Sequence, residues 1–153
     1  MSKAFNTRRN ARKATGNAML ETGPALLILF MFLFFPLINC FAMGVQYASA
    51  FTLNDMQCRE AATLQKSEAS DANGIVKKGL VDKWMHTGLG AFVQCQSVPQ
   101  TTVSYNDGEV EITTKVTAKP FMLCPFFIAV PGMSAPMTFT ISNRRMVENQ
   151  KFV

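Results

Sequence analysis

The sequence predicts an α+β protein: a long N-terminal transmembrane helix, then a short helix and a small antiparallel β-sheet of about three strands. Three observations carry this. No Asp, Glu, Lys or Arg occurs between Thr22 and Asn54, and a spanning helix needs only ~20 apolar residues. The next stretch, Phe51 to Ser70, is rich in helix formers. Beyond it, apolar and polar residues alternate around Asn106-Asp107-Gly108, a strong hairpin signal.

Residues 1–16 form a basic leader. Net charge is +5 in 153 residues, and Lys3, Arg8, Arg9, Arg12 and Lys13 supply all of it. A basic tail beside an apolar run fits a positive-inside anchor, with the N-terminus cytoplasmic, better than a nucleic-acid interface, for which basic residues gather along one face. Residues 17–50 are read as the transmembrane helix. Pro24 suits a first helical turn. Pro36 stands inside the run and predicts a kink or local opening. Glu21 is a single acid at the lip of the run, where it favours the positive helix terminus.

Residues 51–153 are read as an extracytoplasmic α+β domain. Phe51 to Ser70 continues the helix without Gly or Pro, and Asp71-Ala72-Asn73-Gly74 stops it. Ile75 to Thr87 reads as a second helix with Val76, Leu80, Val81, Trp84 and Met85 on one side, ended by Gly88-Leu89-Gly90. A two-residue turn at Asp107-Gly108 sets Tyr105 opposite Val110 and Val103 opposite Ile112. Val110 to Val116 alternates with Glu111, Thr113, Lys115 and Thr117, the period of a half-buried strand. Met137, Phe139 and Ile141 give a third strand. Between them, Pro120 to Pro136 is a loop with the apolar cluster Phe121, Met122, Leu123, Phe126, Phe127 and Ile128, which either covers the core or touches a bilayer or partner.

The cysteines are Cys40, Cys58, Cys95 and Cys124. An extracytoplasmic domain favours one disulfide, and Cys95 with Cys124 is the preferred pair because both flank predicted strands. No C-x-x-C occurs and His86 is the only histidine, so no metal is expected. Nucleophile-elbow, H-E-x-x-H and phosphate-loop patterns are absent from the sequence, so neither an enzyme nor a cofactor is expected.

Arg12-Lys13, Gly16, Glu21 as the fifth residue after that glycine, and the apolar run Ala25 to Val45 resemble the class III signal segment of type IV pilins and pseudopilins. The whole plan, with Val110-Glu111-Ile112, a Pro-rich apolar loop and then Met137 to Arg145, looks most like TadE-like proteins of the tight-adherence pilus. The resemblance implies cleavage by a prepilin peptidase after Gly16, leaving Asn17 as the new terminus. It implies a single-pass protein of the bacterial inner membrane, passing into a pilus or related secretion filament. It also implies partners among other pilin or pseudopilin subunits and the inner-membrane assembly platform, in the role of a minor pilin or assembly factor. Glu21 would then neutralise the Asn17 terminus of a neighbouring subunit. Two other readings compete: an uncleaved membrane-anchored interaction protein of another envelope complex, and a secreted binding module cleaved after Ala50, at Ala48-Ser49-Ala50.

Overall fold

The computed structural model describes residues 22–122 and 130–148. It is an α+β chain that divides between Ile38 and Asn39 into two compact units. One helix, α1 (Thr22–Thr63), runs through both. The unit from Asn39 onward also holds α2 (Lys66–Ser70), α3 (Leu80–Met85), α4 (Gly88–Val93), and strands β1 (Gln100–Asn106), β2 (Glu109–Ala118) and β3 (Met137–Met146). The helix crosses the 50/51 boundary read from sequence without interruption.

Pro36 leaves its mark one turn upstream. The turn Phe30–Phe34 is widened, and the Phe35 N–H donates to the Phe30 carbonyl, five residues back rather than four. A proline at position 36 has no N–H to offer Phe32, and its ring would collide with that carbonyl in a regular helix. Inserting one residue into the turn relieves the collision. The widened turn ends two residues before Pro36.

The helical stretch after the apolar run is broken more often than the sequence suggested. α1 ends at Thr63, and Leu64-Gln65 separates it from α2, so the uninterrupted helix expected to Ser70 stops seven residues early. After α2, Asp71 Oδ1 accepts from the Asn73 N–H at 3.1 Å, an Asx turn that reverses the chain. A second widened turn, Ile75–Gly79, leads into α3. Val76, Val81 and Trp84 are buried, whereas Leu80 and Met85 are partly buried. Gly88-Leu89-Gly90 does not end structure but begins α4. Thr87 Oγ1 donates to the Trp84 carbonyl at 2.6 Å and accepts from the Gly90 N–H at 3.3 Å, an N-cap. A Cβ on Gly90 would overlap the Trp84 carbonyl, so this close approach of α4 to the end of α3 requires glycine.

The sheet is antiparallel, in the order β1-β2-β3. Asp107 and Gly108 both have positive φ, 47° and 81°, the geometry of a primed hairpin turn. The expected register holds: Tyr105 pairs with Val110 and Val103 with Ile112. β3 pairs along the whole of β2, from Glu109–Met146 to Ala118–Met137. Val110, Ile112, Thr114, Val116 and Ala118 face inward and are buried. On the outer face, Glu111 accepts from the Ser142 hydroxyl at 2.8 Å and lies 3.3 Å from the Arg144 guanidinium. These two partners hold its carboxyl below the usual carboxylate range, the Ser142 bond contributing most.

Two apolar clusters form the core. Ala50 and Leu53 of α1 pack with Val81, Trp84, Val93, Val116, Phe139 and Ile141. Cys58, Ala61 and Ala62 pack with Ala69, Val76, Val110 and Ile112. Between them lies a polar layer built from α1 and the sheet.

Candidate functional site: one helix in two environments

From Thr22 to Ile38 the apolar side chains of α1 are mostly exposed, among them Leu27, Ile28, Leu29, Leu33 and Leu37. This half carries no charge and belongs to a helix long and apolar enough to cross a membrane. A helix apolar all round is stable in lipid or in a packed assembly, not in water.

From Asn39 the same helix acquires one buried stripe: Asn39, Ala42, Gln46, Ser49, Ala50, Leu53, Asn54, Gln57, Cys58, Ala61 and Ala62. Four of these carry side-chain amides. Asn39 Nδ2 donates to the Met122 carbonyl at 2.7 Å, and the Met122 N–H donates back to Asn39 Oδ1 at 2.9 Å. Gln46 Nε2 donates to the Val93 and Lys119 carbonyls at 3.4 and 3.1 Å. Asn54 Nδ2 reaches the Ile112 and Ile141 carbonyls and Thr114 Oγ1 at 2.9, 3.2 and 3.0 Å. The Thr114 hydroxyl passes the chain on, donating to Gln57 Oε1 at 2.7 Å. Gln57 Nε2 then donates to the Val76 carbonyl at 2.7 Å and to Thr101 Oγ1 at 2.9 Å.

The amides thus tie α1 to all three strands, to the turn before α3, and to the loop after β2. Buried polar groups are costly unless hydrogen-bonded, and networks of them fix one arrangement of the surrounding elements. Sequence reasoning passed over them. The signal was there in Asn39, Gln46, Asn54 and Gln57, spaced to fall on one helical face. An Asn or Gln on the buried side of a helix needs backbone partners, but those partners come from residues far along the chain.

The residues singled out from sequence are distributed as follows. Gly16, Asn17 and Glu21 lie outside the described residues. So does Cys124, the proposed partner of Cys95. Cys40, Cys58 and Cys95 are free thiols among the described residues. Cys95 joins the sheet by a bridge to Ala118, beside the strands as expected, and burial pushes its thiol pKa up. Pro36 is buried and stands two residues after the widened turn. His86 is exposed. Among the described residues no group of His, Cys, Asp or Glu is placed to hold a metal ion.

No protein-family model, no curated protein and no solved structure matches this chain. What the fold and the site define is a class: an α+β domain continuous with a helix able to span a membrane.

Proposed function

We propose that the protein is a TadE-like, pilin-like assembly subunit, anchored in the bacterial inner membrane with its N-terminus in the cytoplasm. In this reading it acts as a minor pilin or pseudopilin in building a tight-adherence pilus or a related secretion filament. The observation that supports the reading is α1 itself. Its first half is apolar on every side, and its second half is the spine of a small antiparallel domain. The leader Arg12-Lys13-Gly16 and the acid Glu21 stand immediately upstream.

The chemistry follows from those residues. Cleavage after Gly16 by a prepilin peptidase frees a positive amino terminus at Asn17. An unpaired carboxylate beside an apolar environment is costly. Glu21 of one subunit lowers that cost by pairing with the Asn17 terminus of its neighbour, which sets the axial register between helices. Intact-mass analysis of the protein from native membranes tests the cleavage: a chain starting at Asn17 is expected, and a chain still carrying residues 1–16 refutes it. Glu21→Ala is expected to insert into the membrane normally and to fail to enter assemblies. Normal assembly of that variant refutes the pairing.

A further inference from the structure

We propose that the domain has a second, interfacial contact with lipid: Phe121, Met122 and Val130 rest on the leaflet at the C-terminal end of the span, with Lys119 among its headgroups. The inference rests on reading the first half of α1 as a membrane span, and it identifies what lies beside the end of that span.

The helix serves as a ruler. A helix rises ~1.5 Å per residue and the hydrocarbon core is ~30 Å thick, so ~20 residues cross it. Glu21 is the last charge before the apolar run, so a span entering just after it leaves near Phe41. Side chains of α1 hold the domain's loops at defined heights above and below that point. Asn39 grips Met122 through both its N–H and its carbonyl. Met43 packs so closely on Gly132 that a Cβ there would overlap its sulfur. Gln46 holds the Lys119 carbonyl at 3.1 Å, and Gln46 lies ~10 Å farther along the helix than Asn39.

This ladder runs from apolar to basic in the direction leaving the membrane. At its lower rungs Phe121, Met122 and Val130 are 41%, 39% and 38% exposed. Phe121 is held by stacking on Phe92, with ring centroids 5.5 Å apart. At the upper rung stand Lys119 and the exposed Tyr47. Tyr and Lys suit the headgroup zone, where an apolar stem or ring meets a polar tip. The backbone chemistry fits as well. Non-helical backbone near hydrocarbon must have its polar groups satisfied, and Asn39 satisfies both of those on Met122. A face that is apolar at the rung of Asn39 and basic at that of Gln46 matches a phospholipid leaflet.

The test uses the full chain in phosphatidylcholine vesicles carrying bromines either near the headgroups or near the bilayer centre. Trp84 is the only tryptophan and is 2% exposed, so the unsubstituted chain sets an unquenched background. Phe30→Trp reports on the span and Met122→Trp on the proposed contact. The shallow bromines are expected to quench Met122→Trp above the background, and the deep ones Phe30→Trp. Quenched Phe30→Trp with unquenched Met122→Trp overturns the inference and leaves the span standing. The same holds if Met122→Trp is shielded only as protein concentration rises, which would mean that a second copy covers this surface. Unquenched Phe30→Trp overturns the span reading and the inference with it. Val130→Trp, at a separate exposed position, is expected to behave as Met122→Trp does, and keeps the test decisive if Met122→Trp misfolds.

Discussion

Leu29 and Leu53 stand on the same helix, yet Leu29 is half exposed and Leu53 is fully buried. The difference is not one of side chain or helix propensity, since both are leucines within one helix, Leu29 in a charge-free run and Leu53 two residues before Asp55. It lies in what the rest of the chain places beside them. Around Leu53 the sheet and α3 close a core, whereas Leu29 keeps half of its surface exposed. An apolar helix can therefore serve two solvents in succession, provided its second half carries a stripe that a domain can recognise. Here amides punctuate that stripe, and their hydrogen bonds give the packed half a fixed register that apolar contacts alone would leave looser.

The largest effect that would sharpen this contrast is cavity formation. Leu53→Ala is expected to destabilise the domain by about 2–5 kcal/mol, the range for emptying a buried leucine site. Leu29→Ala is expected to leave domain stability unchanged. Urea unfolding in detergent, followed by Trp84 fluorescence, measures both. Equal losses would break the division of the helix into two environments. The reverse experiment places a charge. Leu29→Lys is expected to cost about 3 kcal/mol of insertion free energy and to release protein from membranes on alkaline extraction. Lysine at the exposed Met56, beside Asp55 and Arg59, is expected to do neither.

The polar layer comes next. Gln57→Leu keeps approximate volume but removes the acceptor of the Thr114 hydroxyl and the donor to the Val76 carbonyl. A buried polar group left without a partner costs about 1–3 kcal/mol, so a loss of that order is expected in the same unfolding assay. A double substitution with Thr114→Val removes the stranded hydroxyl too and is expected to recover part of the loss. Additive losses would mean that the layer does not act as a network.

Much of this was legible in the sequence, and the reasons are local. Alternation and Asp107-Gly108 specify the β1–β2 register, because a two-residue turn leaves only one pairing that keeps Val103, Tyr105, Val110 and Ile112 on one face. The apolar run declares itself by length. What was not legible depends on distant partners. Gly90 looks like a helix terminator until the Trp84 carbonyl lies against it, and Thr87 caps α4 only because Gly90 can come close. Asn39, Gln46, Asn54 and Gln57 look like interruptions of an apolar helix until Met122, Lys119, Ile112 and Thr101 arrive from 44 to 83 residues farther along. The leader and Glu21, which carry the functional proposal, are readable in sequence alone.

The smallest expected effect concerns Pro36, and it addresses how the first half of the helix is wound. In Pro36→Ala the restored N–H can donate to the Phe32 carbonyl and the ring no longer collides with it, so the reason for the widened turn disappears. Phe30–Phe34 is then expected to close to regular winding. Removing the extra residue from that turn rotates the side chains of residues 22–29 by ~100° about the axis relative to those of residues 35–38. Domain stability should change by less than about 0.5 kcal/mol, as for substitutions away from packed features. What should change is which faces of the apolar half share a line along the helix. Amide hydrogen exchange in detergent micelles reads the winding directly: the Phe35 N–H would move from the Phe30 carbonyl to that of Met31, and the new N–H at position 36 would be protected by the Phe32 carbonyl. If the exchange pattern of Phe30 to Phe35 is the same in both proteins, the widened turn is set by the apolar side chains themselves, and the proline merely occupies it.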